Sequence, residues 1–133
     1  MTSWILGKRA SASSIDLGSL QLAWLGDAVW ELHQRLRHCS KPGKSKDLHV
    51  SVVSEVKADA QASALTFLKP YLTESEKDLV RRARNKSGRG PRNCEPAVYA
   101  KATGFETIIG WLFLNNPERL AHLFNQLDQR EPS

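Results

Sequence analysis

The sequence predicts a single all-α domain. Apolar residues recur at spacings of three and four along most of the chain, and no alternation of period two is long enough to indicate a strand. A length of 133 residues fits one domain, and a composition of 41% hydrophobic and 25% charged residues excludes a disordered or fibrous chain. We expect a flexible N-terminal tail over residues 1–14, a folded domain over residues 15–128 and a second tail over residues 129–133.

The first predicted helix begins near residues 13–14 and ends near Arg37. Its leucines and one valine form a continuous apolar stripe. The members of this stripe are Leu22, Leu25, Val29, Leu32 and Leu36. Further apolar residues, including Leu20, Trp24 and Trp30, lie around the other side. A helix that is apolar nearly all round is a buried one, so we expect it at the centre of the core.

The second and third helices are predicted on either side of Pro70. The second begins near residues 45–47, carries valines, alanines and leucines at helical spacing, and ends before Pro70. The third is opened by a capping box, Thr-Glu-Ser-Glu at residues 73–76, in which the threonine accepts from the third amide and the last glutamate reaches back. We expect the third helix to continue to about Arg84.

Two more helices complete the predicted fold. Residues 85–93 are rich in glycine, asparagine and basic residues and predict a flexible loop. A fourth helix begins at Glu95-Pro96, because proline suits the first turn, and ends near Leu114. Asn116-Pro117 then caps a fifth helix. The apolar face of this last helix consists of Leu120, Leu123, Phe124 and Leu127.

Two acidic residues stand alone within strongly apolar helices. Asp27 is the only charged residue between positions 17 and 30, and Glu106 is the only one between positions 102 and 117. Burying an unpaired carboxylate is costly, so each must meet an arginine, a helix N-terminus, a narrow polar edge or a cation. If the two helices pack together, both carboxylates converge, and such oxygen ligands with water suit Mg²⁺ or Mn²⁺. Small neighbours of Glu106, such as Ala102 and Gly110, leave room for an ion and a close backbone.

The net charge of +5 is concentrated in one basic segment. From Arg81 to Arg92, six of twelve residues are Lys or Arg and none is acidic, so this local charge of +6 exceeds that of the whole chain. Arginines that bridge phosphate oxygens and glycines that admit backbone amides are typical of phosphate binding, and a solvated run of charge is the alternative. Because the segment has no aromatic residue for base stacking, it favours backbone contacts with a duplex.

Other classes of protein and site are not indicated. No apolar run approaches the roughly 20 residues of a membrane span, and the N-terminus lacks a secretory pattern. Cys39 and Cys94 are too few for a disulfide framework or a zinc site and are expected to be free thiols in a reducing cytoplasm. The four histidines show no metal-ligand spacing, and no serine lies in a recognisable nucleophile motif.

The sequence Leu-Ala-Trp-Leu-Gly-Asp-Ala-Val-Trp-Glu-Leu, residues 22–32, resembles the signature helix of the ribonuclease III family. The chain is most similar to the short form, Mini-ribonuclease III, which lacks a separate double-stranded-RNA-binding domain. Further matching motifs occur in the same order, so that the resemblance spans residues 16–127. These motifs are Asp47-Leu48-His49, Ala60-Gln61-Ala62, residues 73–76, residues 81–85, Pro91-Arg92-Asn93, Tyr99, residues 103–106 and residues 109–114.

The resemblance implies an all-helical, homodimeric, cytoplasmic endonuclease, with residues 15–128 as its catalytic domain. Such an enzyme cleaves double-stranded RNA with a divalent metal, leaves 5′-phosphate and 3′-hydroxyl ends, and usually trims the 23S ribosomal RNA precursor. It would hold Mg²⁺, or Mn²⁺ as a substitute, at Asp27 and Glu106, which would be the catalytic residues. The basic segment supplies the predicted RNA contacts. These are Arg81, Arg82, Arg84, Asn85, Lys86, Arg89 and Arg92.

Some positions depart from the larger ribonuclease III enzymes. Ala23 and Thr103 stand where those enzymes carry two further acids, which agrees with the short form and leaves the number of metal ions open. Ala83 replaces a usual glycine of the basic motif. Ala100 replaces a common arginine, and the neighbouring Lys101 is a candidate to compensate for it.

Two other functions fit the same residues. A non-catalytic helical RNA-binding module would use Asp27 and Glu106 only in ion pairs. A helical DNA-binding protein would bind B-form duplex more tightly than A-form RNA, whereas ribonuclease III-like recognition requires 2′-hydroxyls and a wide minor groove. The sequence also suits a dimer, because we expect four tryptophans and helices that are apolar nearly all round to exceed what a single core of this size can bury.

Overall fold

The computed structural model describes residues 2–130, which form seven α-helices and one 3₁₀ turn without any β-strand. The helices are α1 (Thr2–Ser13), α2 (Ser19–His38), α3 (Ser45–Val56), α4 (Ala58–Leu68), α5 (Glu74–Lys86), α6 (Pro96–Asn115) and α7 (Pro117–Gln129). The 3₁₀ turn, Lys69–Tyr71, follows α4 directly. The all-α prediction is confirmed, and within these residues no helix is long and apolar enough to cross a membrane.

Helix α6 lies at the centre of the molecule and contacts α1, α2, α4, α5 and α7. Trp30 of α2 is buried and meets Phe105 of α6 edge-on, with ring centroids 5.0 Å apart. Ile108 and Ile109 of α6 and Leu65 of α4 fill the same core and expose no surface. Burying each aliphatic side chain of this size contributes roughly 1.5–3 kcal/mol, so core packing fixes α6 against its neighbours.

The predicted starts of α5 and α7 are confirmed. Thr73 Oγ1 accepts from the backbone N–H of Glu76 at 3.2 Å, and Glu76 Oε1 accepts from the backbone N–H of Thr73 at 2.9 Å. Asn116 Oδ1 accepts from the backbone N–H of Arg119 at 3.1 Å. Arg119 in turn donates to both carboxylate oxygens of Glu76 at 3.0 and 3.1 Å, which ties the start of α7 to the start of α5.

The N-terminus differs from the prediction, because α1 occupies most of the stretch in which a tail is expected. Arg9 attaches α1 to the end of α6. Its Nε donates to the carbonyl oxygen of Phe113 at 2.8 Å, and its guanidinium carbon lies 5.2 Å from the Phe113 ring centroid. This contact joins distant parts of the chain, so no local pattern signals it. At the other end α7 reaches Gln129, and positions 131–133 of the predicted C-terminal tail lie outside the described residues.

Two predicted helix boundaries are wrong. The first long helix begins after Gly18 rather than near residues 13–14, because those serines end α1 and Gln21 Oε1 accepts from the backbone N–H of Gly18 at 3.0 Å. The predicted second helix is two helices that meet at Lys57, where ψ is 160° and the backbone is extended. The β-branched valines of α3 lower its helix propensity, and Asp59 suits the first turn of a new helix.

One side of α2 is not covered by the rest of the chain. Leu22 and Trp30 are buried, whereas Leu20 and Trp24 expose 80% and 81% of their surface. Leu36, part of the predicted apolar stripe, is also exposed. The expectation that α2 is buried all round is therefore wrong for a single copy of the chain, and the surplus apolar surface lies on one outer face.

Candidate active site

Asp27 and Glu106 lie where α2 and α6 cross in backbone contact. Two glycines make this crossing possible. A Cβ atom on Gly26 would lie 1.8 Å from the carbonyl oxygen of Glu106, and one on Gly110 would lie 2.1 Å from the carbonyl oxygen of Leu22. Because any side chain at either glycine would push the helices apart, these glycines bring together two acids that are distant in the sequence.

The carboxyl groups of Asp27 and Glu106 interact directly. Asp27 is exposed and Glu106 is half-buried. Burial, followed by the hydrogen bond with Asp27 and its negative charge, raises the pKa of Glu106 to about 8. Within residues 2–130, neither acid forms an ion pair with a lysine, arginine or histidine. The two carboxyls thus converge, as the packing of their helices led us to expect, and they do so without a basic partner.

Gln61 of α4 is a third side chain at this cluster, and nothing in the sequence indicates a role for it beyond a matched motif. It exposes 2% of its surface, and its Nε2 donates to Glu106 Oε2 at 3.3 Å. This hydrogen bond lowers the pKa of Glu106 and so opposes the larger effects of burial and Asp27. The available sequence signal was a single amide side chain between alanines on a helix, which by itself does not indicate a site.

The arrangement fits a divalent cation. Asp27 and Glu106 offer two carboxylates as anionic ligands, and in the described part of the chain no group of three or more His, Cys, Asp or Glu residues is placed to hold a metal. Thr103 and Ala23, one turn before each acid, are buried and uncharged. Mg²⁺ typically keeps several waters and takes one or two carboxylates from a protein, which matches two acids beside small residues.

The predicted RNA-contacting residues divide between a helix and a loop. Five of the seven lie on the last two turns of α5. Arg89 and Arg92 lie in the loop that begins at Ser87 and connects α5 to α6. The predicted loop over residues 85–93 therefore starts two residues too early, since Lys86 is still helical.

On α5, two arginines are engaged with an acid of the same helix. Arg81 and Arg82 both contact the carboxylate of Asp78, Arg82 through its Nε at 3.1 Å. The hydrogen bond from Arg81, and then the charges of both arginines, hold the pKa of Asp78 below its ordinary value despite some opposition from desolvation. This acid lies just outside the twelve-residue basic segment, so the composition of the segment does not reveal the pairing.

The loop folds back onto α6. Gly90 has a φ of +77°, and a Cβ atom there would lie 2.5 Å from the ring of Tyr99, so the backbone rests on that ring. Arg89 closes the loop by donating to two of its backbone carbonyls at 3.0 and 3.2 Å. Tyr99 lies two turns before Glu106 on the same side of α6, about 10 Å away along the helix axis. The loop is thus anchored beside the face that carries the acids.

Comparison with known proteins agrees with this geometry. The Ribonuclease III domain family matches residues 20–117. A Mini-ribonuclease 3 of Synechococcus sp. is 44% identical over 120 residues, covering 90% of this chain and 87% of the relative. A Mini-ribonuclease 3 of Gloeobacter violaceus is 46% identical over 108 residues, covering 81% and 80%.

A solved structure shares the fold. The crystal structure of a protein from Fusobacterium nucleatum superposes with a TM-score of 0.77 at 32% sequence identity, covering 87% of this chain and 96% of the other. The matched range contains both glycines of the crossing and both acids, and the match itself confirms the resemblance found in the sequence. The chain belongs to the Mini-ribonuclease 3 group of the ribonuclease III family.

Proposed function

We propose that this chain is a Mg²⁺-dependent endoribonuclease that cleaves double-stranded RNA at the cluster of Asp27 and Glu106. Members of the ribonuclease III family act on double-stranded RNA and generally depend on a divalent metal. Hydrolysis of the phosphodiester leaves a 5′-phosphate and a 3′-hydroxyl. The two acids are assigned to catalysis because they meet where α2 and α6 cross, and both lie within the region that the family matches.

The observation that carries the site assignment is the meeting of the Asp27 and Glu106 carboxyls at the crossing of α2 and α6, where burial first, and then Asp27, raises the pKa of Glu106 to about 8. Two adjoining carboxylates near neutral pH require a shared proton or a cation. In the competing function, a non-catalytic RNA-binding module, these acids would serve only in ion pairs. That reading is not supported, because neither acid has a basic partner in the described chain.

When bound, Mg²⁺, or Mn²⁺ in its place, supplies water activation and charge stabilisation at the attacked phosphorus and the leaving 3′-oxygen. Asp27 and Glu106 would hold the ion from two helices whose backbones touch at Gly26 and Gly110, so the main chain fixes how closely the two helices bring these residues together. Thr103, one turn before Glu106, offers a hydroxyl that orients water where larger relatives would use an acid. The buried core behind α6 keeps these groups from moving apart.

The basic segment would grip RNA phosphates in place of a separate RNA-binding domain. Arg84, Lys86 and Arg92 support this, because within residues 2–130 their side chains make no hydrogen bond or ion pair. Residues 81–82 can exchange Asp78 for phosphate, since exposed pairs of this kind are weak. Arg89 is committed to the loop backbone and shapes the loop rather than reaching out.

The proposed active form is a homodimer that joins through the outer face of α2. Leu20 and Trp24 expose about four-fifths of their surface there. Covering apolar surface is favourable by roughly 25 cal/mol per Å², and large exposed apolar patches commonly mark interfaces. Asp27 lies one turn after Trp24, so a dimer through this face would bring two sites to one duplex, one for each strand.

We further propose that the chain acts in the cytoplasm on the precursor of 23S ribosomal RNA. Support comes from its similarity to proteins named Mini-ribonuclease 3. Trimming of this precursor is the task that the family resemblance leads us to expect. The test is to incubate the chain with a precursor transcript that contains the paired ends, and to map the new 5′ ends. Cleavage elsewhere in the stem, or of unrelated duplexes only, would refute this substrate.

The central experiment compares the wild type with Asp27→Asn on an end-labelled RNA duplex, with and without Mg²⁺. We expect Mg²⁺-dependent cutting by the wild type and a loss of roughly 1000-fold or more in the variant, because a metal ligand is lost. RNA affinity, measured separately in Ca²⁺, should stay within about three-fold, because the basic segment is unchanged. A wild type that binds RNA without cutting it would be a binding module, and one that prefers B-form DNA would be a DNA-binding protein.

A further inference from the structure

We propose that Gln61 is a positioning residue of the active site, whose amide fixes the Glu106 carboxylate in the orientation that receives the metal. The proposal rests on the proposed function, because it concerns the same site. It starts from one contact, the hydrogen bond from Gln61 Nε2 to Glu106 Oε2 at 3.3 Å.

The contact is built into the core of the fold. Gln61 lies on α4, which packs along α6, and it exposes only 2% of its surface. Within residues 2–130, the Glu106 side chain has no hydrogen-bonding partner other than Gln61 and Asp27. A glutamate side chain has several rotatable bonds, so an anchored donor on a neighbouring helix reduces the orientations that its carboxylate explores.

The chemistry of the donor suits a metal ligand. An amide N–H₂ group donates hydrogen bonds but carries no charge. A lysine or arginine at this position would neutralise Glu106 and compete with the cation, whereas glutamine holds one oxygen and leaves the negative charge of the pair intact. Partners that hydrogen-bond metal ligands in this way orient them and contribute to metal affinity.

This chain depends on such a partner more than a site with four acids would. Ala23 and Thr103 contribute no carboxylate, so two acids must hold the ion. With fewer ligands, the orientation of each has a larger share in the binding free energy. Gln61 thus compensates through geometry for charge that the site lacks.

The test replaces Gln61 with methionine, which has a similar shape and no hydrogen-bond donor. A matched control is Gln34→Met, because Gln34 is also fully buried but its amide oxygen accepts from Arg37, on the same helix as Asp27 and about two turns away. Mn²⁺ binding to the full chain is measured without RNA, by electron paramagnetic resonance of the free ion. We expect Gln61→Met to weaken Mn²⁺ binding by roughly 10-fold to 100-fold and Gln34→Met to change it by less than about two-fold.

A second measurement separates positioning from general damage. The Mg²⁺ concentration for half-maximal RNA cleavage should rise in Gln61→Met, while RNA affinity in Ca²⁺ stays as in the wild type. Unchanged Mn²⁺ affinity in folded Gln61→Met, or an equal loss in Gln34→Met, would overturn the proposal. If thermal melting in EDTA shows that Gln61→Met does not fold, Gln61→Ala is measured in its place, with the same expectation.

The outcome for Asp27→Asn distinguishes the two proposals. If Asp27→Asn abolishes cleavage and Mn²⁺ binding while Gln61→Met binds Mn²⁺ like the wild type, the nuclease assignment stands and the role of Gln61 is refuted. If Asp27→Asn leaves both cleavage and Mn²⁺ binding intact, the proposed function itself is refuted, and the role of Gln61 with it.

Discussion

Charged residues occur in contrasting surroundings in two regions, the crossing of α2 and α6 and the basic segment. At the crossing, two acids stand among apolar residues and lie against the packed core, with the helix backbones in contact at Gly26 and Gly110. In the basic segment, many charges share an exposed helix end and a loop, and Asp78 already pairs with two of the arginines.

The difference shows when an isolated charge is informative. A carboxylate in an apolar helix has few ways to be satisfied, so its presence constrains what must lie beside it. An exposed arginine can interact with water, with a neighbouring acid or with a ligand, and the residue type alone does not show which of these partners it has. Perturbing each region should therefore have unequal effects, large at the crossing and small along α5.

The largest effect is expected from Gly26→Ala. The new Cβ atom would meet the carbonyl oxygen of Glu106 at 1.8 Å, and main-chain atoms at a helix crossing do not yield easily. We expect the free energy of unfolding, measured with denaturant, to fall by about 3 kcal/mol. Mn²⁺ binding should be lost as well. Gly7→Ala is the matched control, because nothing lies within 4 Å of its Cβ position, and it should stabilise α1 by up to about 1 kcal/mol. Equal stability of both variants would show that the crossing is not close-packed.

The next effect concerns pH and Glu106. Its folded pKa of about 8 lies above the unfolded value of 4.5, so the native state holds a proton that the unfolded state has released. Metal-free stability should therefore be highest below about pH 4.5 on account of this group, and should fall by up to about 1.4 kcal/mol per pH unit until pH 8. Glu106→Gln should remove this fall, so that the variant exceeds the wild type by a few kcal/mol near pH 8.

The check is a series of denaturant titrations from pH 5 to pH 9 in EDTA. The exposed Glu118 offers a control, and Glu118→Gln should keep the wild-type profile. Adding Mg²⁺ at pH 8 should raise the stability of the wild type but not that of Glu106→Gln, because the ion replaces the proton between the two acids. A wild-type profile that matches Glu106→Gln at every pH would contradict the close contact of the carboxyls.

Some features of the fold and of the candidate site could be predicted from the sequence, and others could not. The all-α class, the caps at Thr73 and Asn116 and the two isolated acids could be read from the sequence, and the convergence of the acids was expected on the condition that their helices pack together. The role of Gln61 could not be read in this way, because it depends on the packing of α4 against α6, and the same glutamine on a different helix would be unremarkable. Likewise α1 escaped prediction, since its docking through Arg9 is a long-range contact with Phe113.

A smaller effect is expected on RNA binding, to which the basic residues of the segment should contribute unequally. Lys86→Gln and Arg92→Gln remove exposed side chains without an internal partner, whereas Arg81→Gln removes one that already contacts Asp78. We expect the first two to weaken binding of an RNA duplex by about 1 kcal/mol each and to lower the salt slope by nearly one ion. Arg81→Gln should have about half that effect.

Titrations in Ca²⁺ between 50 and 200 mM salt, a range over which phosphate contacts weaken markedly, would measure both the affinity and its salt dependence. Equal losses in all three variants would mean that the Asp78 pairing gives way entirely to RNA.

The smallest effect is expected from Asp78→Asn, which removes an acid rather than a base. Its carboxylate is ionised at neutral pH, and the hydrogen bond from Arg81, followed by the charges of Arg81 and Arg82, holds its pKa below the ordinary value. The substitution therefore raises the net charge by one and releases both guanidinium groups. Affinity for an RNA duplex should rise by about two- to three-fold at low salt and return to the wild-type value at high salt. Asp59→Asn makes the same change in net charge on α4, where the acid does not pair with Arg81 or Arg82, and should have less effect. If both variants bind RNA equally tightly, only net charge matters. If Asp78→Asn binds more weakly, Asp78 holds its arginines in the geometry that phosphate requires, and the exposed region is more organised than its weak ion pairs suggest.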